Sequence, residues 1–111
     1  MKVKELIEMN LFKLLNQGND VDKEITKPFC CDLLSIAMSK APAGSAWVTV
    51  MGNVNTLAVA ELADVACVVL AEGMDMDIRI LEKAGEQQIT VLCTDMPVFE
   101  AAMAIQEKMN A

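Results

Sequence analysis

Trp47–Leu62 reads WVTVMGNVNTLAVAEL. Trp47-Val48-Thr49-Val50-Met51 is uncharged, β-branched and aromatic, which predicts a strand buried on both faces. Gly52-Asn53-Val54-Asn55 breaks it. Thr56–Leu62 then predicts a helix packed by Leu57, Ala58, Ala60 and Leu62. A strand that ends in a Gly/Asn turn and opens a helix is where α/β proteins commonly hold a ligand. The strand's carboxyl end and the free N–H groups of the helix converge there.

Two further apolar runs follow the same rule, Ala66–Ala71 (ACVVLA) and Ile89–Cys93 (ITVLC). Between them lies a loop, Glu72–Asp75, and a helix through about Gln87, capped by Asp75 or Asp77, with Ile78, Leu81 and Ala84 inward. Thr94-Asp95-Met96-Pro97 is a helix-start signal. The last helix, to about Met109, is expected to bury Val98, Phe99, Ala102, Ile105 and Met109. Strand and helix therefore alternate through the carboxyl two-thirds. Strands that are apolar throughout need cover on both faces. The expected fold is α/β, a three-layer α/β/α arrangement with a mainly parallel sheet of four to five strands.

Upstream the signals are shorter. Lys2–Asn10 predicts a helix with Val3, Leu6 and Ile7 on one face. Leu11–Leu15 predicts a strand stopped by Asn16–Asp20, and Val21–Ile25 an edge segment. Pro28 holds Lys27 extended, and Phe29-Cys30-Cys31 predicts a short strand. Asp32 is a fair N-cap for a helix over Leu33–Lys40, with Leu33, Leu34, Ala37 and Met38 inward.

The chain has 111 residues, enough for one core, so residues 1–111 are expected to form a single domain. Its hydrophobic fraction is 54%, with one Trp, three Phe and no Tyr, so Val, Leu, Ile, Ala and Met must build the interior. The net charge of −7 disfavours nucleic acid and anionic membrane surfaces. No apolar run approaches the ~20 residues of a membrane span. The charged start MKVKELIEMN is not a signal peptide, so a cytoplasmic location is expected.

The sequence holds no His. That removes Ser-His and Cys-His pairs and any imidazole base. Cys30, Cys31, Cys67 and Cys93 lack CxxC spacing, so neither a zinc site nor a redox dithiol is expected. Asp75 and Asp77 alternate with Met74 and Met76 as a capped helix start does, not as a chelating loop. No catalytic residue, metal site or cofactor is expected. The candidate ligand-binding residues are Gly52, Asn53 and Asn55 at the central turn, joined by Thr26, Asp32 and Ser35 if their strand lies beside the Trp47 strand.

Several stretches together go beyond generic α/β. Glu24-Ile25-Thr26, Cys31-Asp32-Leu33-Leu34-Ser35, Trp47-Val48-Thr49-Val50 and Asn55-Thr56-Leu57-Ala58-Val59-Ala60, in this order and spacing, resemble the DRTGG domain. Val3-Lys4-Glu5-Leu6, Cys67–Leu70, Leu81-Glu82-Lys83-Ala84 and Phe99-Glu100 extend the resemblance over nearly the whole chain. It implies a compact unit similar to the amino-terminal domain of bacterial HPr kinase. Such domains occur alone or as appendages of regulated enzymes, as regulatory or assembly modules without a family-wide catalytic residue. The chain departs from the family where Lys27-Pro28-Phe29 replaces a glycine-containing stretch, and where Met51 and Asn53 replace a Gln and a His.

Two functions are expected on these grounds. One is a non-catalytic regulatory or scaffold module, a homodimer that modulates a partner enzyme or signalling protein. The other is a sensor for a nucleotide or other small anionic ligand at the turn after the central strand. The homodimer rests on Ala101–Met109, apolar around most of its helix; deep burial within a monomer is the alternative.

Overall fold

The computed structural model describes residues 1–111. Ten elements follow one another: α1 (Val3–Glu8), β1 (Lys13–Asn16), β2 (Pro28–Cys30), α2 (Leu34–Lys40), β3 (Ala46–Thr49), α3 (Val54–Leu62), β4 (Cys67–Leu70), α4 (Ile78–Gln87), β5 (Val91–Cys93) and α5 (Val98–Met109). One five-stranded sheet has the order β1-β5-β4-β3-β2. β2, β3, β4 and β5 are parallel neighbours, and Trp47 pairs with Phe29 on one side and Val68 on the other.

β1 departs from the parallel pattern. It runs antiparallel to β5, pairing Lys13 with Cys93 and Leu14 with Leu92 before a bulge at Leu15. Side chains fasten the turn that follows it. Asn16 Nδ2 donates to the Ile89 carbonyl at 2.7 Å, and the Gly18 N–H donates to Thr90 Oγ1 at 2.9 Å. The expected edge segment at Val21–Ile25 forms no strand; it contributes one isolated bridge, Lys2 to Glu24.

β2 to β5 lie side by side in chain order. Right-handed crossovers then put every connecting helix on the same side. The packing agrees. Ala37 of α2, Leu57 and Ala60 of α3 and Ala84 of α4 share one core with Trp47, Val68 and Val91. Val3 and Leu6 of α1 and Ala101 and Ile105 of α5 share the other with Val48, Val69 and Leu92. Alternate residues of β3, β4 and β5 serve opposite cores, so these strands had to be apolar throughout.

Six residues expected inside lie on the surface: Leu33 (55% exposed), Met38 (55%), Ala58, Leu62 (73%), Ile78 (72%) and Phe99 (69%). Leu33, Ile78 and Phe99 sit in or beside the first turn of their helices, before the axis reaches the sheet. Met38 and Leu62 lie on turns whose inward places are taken by Ala37, Val59 and Ala60. No helix is long and apolar enough to cross a membrane.

Candidate functional site

Parallel strands deliver the starts of α2, α3, α4 and α5 to one end of the sheet. Acceptors are needed there, because the first N–H groups of a helix have no partner within it. Asn53 Oδ1 accepts from the Thr56 N–H at 3.1 Å, capping α3, and Asp77 Oδ1 accepts from the Arg79 N–H at 2.8 Å, capping α4. α5 is capped from elsewhere: Glu72 Oε2, on the loop after β4, accepts from the Val98 N–H at 3.0 Å. Three helix starts are thus met by the chain's own side chains.

Asp32 does not cap α2. Leu33 is the N-cap, extended and without a side-chain bond. The Asp32 carboxylate turns to β3, where Oδ1 accepts from Thr49 Oγ1 at 2.7 Å and from the Val50 N–H at 2.9 Å. Thr49 Oγ1 accepts in turn from the Met51 N–H at 3.3 Å, and Thr56 Oγ1 donates to the Met51 carbonyl at 2.7 Å. Gly52 lies so close to the next loop that a Cβ there would fall 2.4 Å from the Asp75 carbonyl oxygen. The central turn is therefore packed by Asp32, Thr49, Thr56 and Asp75.

Of the six candidate residues, the structure gathers Asp32, Gly52 and Asn53 at this end. Asn55 is exposed in the first turn of α3, and Ser35 is exposed on α2. Thr26 lies apart, beyond the amino end of β2. There its hydroxyl donates to the Ala43 carbonyl at 3.0 Å and its N–H to the Gly44 carbonyl at 2.9 Å. β2 runs between Thr26 and Asp32, so the two serve opposite ends of the sheet.

The open clefts lie elsewhere. The loops after β4 and β5 are tied together: the Glu72 N–H donates to the Met96 carbonyl at 2.8 Å and the Gly73 N–H to the Thr94 carbonyl at 3.0 Å. A cleft of about 290 Å³ opens there, lined by Lys13, Gly73, Asp75, Cys93, Thr94 and Asp95. Partial burial pushes the Cys93 thiol up, Asp75 and Asp95 add to the effect, and Lys13 opposes it. A second cleft, of about 200 Å³, lies at the amino ends of β4 and β5, beside Asn19, Lys23, Asp64 and Gln88; Lys23 and Asp64 form an ion pair across it. Sequence reasoning missed both clefts.

The carboxyl end is acidic. Asp32, Glu72, Asp75, Asp77, Asp95 and Glu100 lie on its loops and first helical turns, against Lys13 and Arg79. Burial first, and Asp32 second, raise the pKa of the Cys30 thiol at the end of β2. Cys30 and Cys31 are both free thiols.

No family model matches the chain, and neither does any curated protein sequence. Among solved structures, the chain is similar to the CBS and DRTGG domains of the regulatory region of Clostridium perfringens pyrophosphatase, complexed with the activator diadenosine tetraphosphate. The TM-score is 0.75 at 15% identity, over 94% of this chain and 45% of that one. The chain thus spans under half the length of the neighbour it matches. The likeness supports a DRTGG-like fold, with five strands flanked by helices and mostly parallel.

Proposed function

We propose that this chain is a non-catalytic regulatory or scaffold module, a cytoplasmic homodimer that modulates a partner protein. The observation that carries this reading is the use of the sheet's carboxyl end. Asn53, Asp77 and Glu72 occupy the starts of three helices, and Asp32 occupies the Val50 N–H. Groups that would receive an anionic substrate serve the fold instead. The regulatory region to which the fold is similar adds support.

The test is a turnover screen with phosphoester and acyl substrates, with and without magnesium or manganese. No turnover above a heat-denatured control is expected. Steady turnover with any of them would sink the reading.

A second reading, a nucleotide sensor, is favoured by one observation: the similar regulatory region is a complex with an adenine dinucleotide. If it holds at the central turn, a nucleotide raises the melting temperature of the chain, and Asn53→Ala with Asn55→Ala removes the rise. A shift that survives this double substitution excludes that turn as the site.

A further inference from the structure

We draw no further inference here: the strongest candidate, the cleft of about 290 Å³ at the carboxyl ends of β4 and β5, is an exposed cluster of Lys13, Asp75 and Asp95 over the half-buried Cys93 thiol, and no buried, unpartnered polar group aims into it to show what it would hold.

Discussion

Gly52→Ala isolates the closeness of the central turn. The new Cβ would lie 2.4 Å from the Asp75 carbonyl oxygen and 3.5 Å from a Leu70 methyl. The methyl can yield, but the carbonyl belongs to the backbone that leads through Met76 to the Asp77 cap. Ordinary contact begins near 3.4 Å. The two loops must then separate by about 1 Å, and overpacking of this kind costs about 1–3 kcal/mol. Restricting the unfolded chain offsets about 0.4–1 kcal/mol. The net is a loss of about 1–2 kcal/mol, or about 4–8 °C in Tm for a domain this small. Urea and thermal unfolding followed by circular dichroism measure it. Gly85→Ala is the internal control. Its Cβ meets Asn16 Oδ1 at 3.6 Å, and its place inside α4 predicts a gain of about 0.5–1 kcal/mol. A Gly52→Ala protein as stable as wild type, beside a stabilised Gly85→Ala, would refute the close approach of the two loops.

Three more outcomes follow from other sites. Ser45 Oγ is buried without a partner, so Ser45→Ala should be neutral or stabilise by up to about 1 kcal/mol in urea titrations. Glu72→Ala removes the α5 cap and should cost about 0.5–2 kcal/mol, whereas Glu72→Gln, which keeps an acceptor, should cost less by the same assay. Full burial pushes the Cys67 thiol up to about 12 from 9.0, so the unfolded chain releases its proton first as pH rises. The contribution is fully present below pH 9 and falls by about 1.4 kcal/mol for each unit of pH between the two values. Comparing Cys67→Ala with wild type from pH 8 to pH 11 isolates it; parallel slopes for the two proteins would show that the thiol does not titrate on unfolding.

Much of this architecture is legible in the residues. Uncharged strands demand cover on both faces, and the structure supplies it with α1 and α5 on one and α2, α3 and α4 on the other. Asp77 caps α4 as its position before Ile78 allows. Asp32 shows where local reading fails. Alone it fits an N-cap, but β3 lies alongside and offers the Thr49 hydroxyl and the Val50 N–H. That competition exists once two strands are neighbours, and no short stretch announces it. Thr26 could have been separated from Asp32 in advance. Six residues of largely extended chain cover about 20 Å, more than one crevice spans. The exposure of Phe99 and Leu62 needed the axis of each helix, which periodicity alone does not fix.

β1 places its partner at the far end of the chain, Lys13 against Cys93. The remaining strand pairs join neighbours in sequence. Closing a long loop costs entropy before any contact rewards it. β2 to β5 can zip successively, each pair bridged by one helix. β1 and its turn must wait until β5 exists, because they are fastened to Ile89, Thr90 and β5 itself. On a ribosome this order matters: β1 is made early and is the last strand to find its neighbour. Until then the edge of β5 stays open, so the nascent or partly unfolded chain is most exposed to strand exchange along Val91–Cys93.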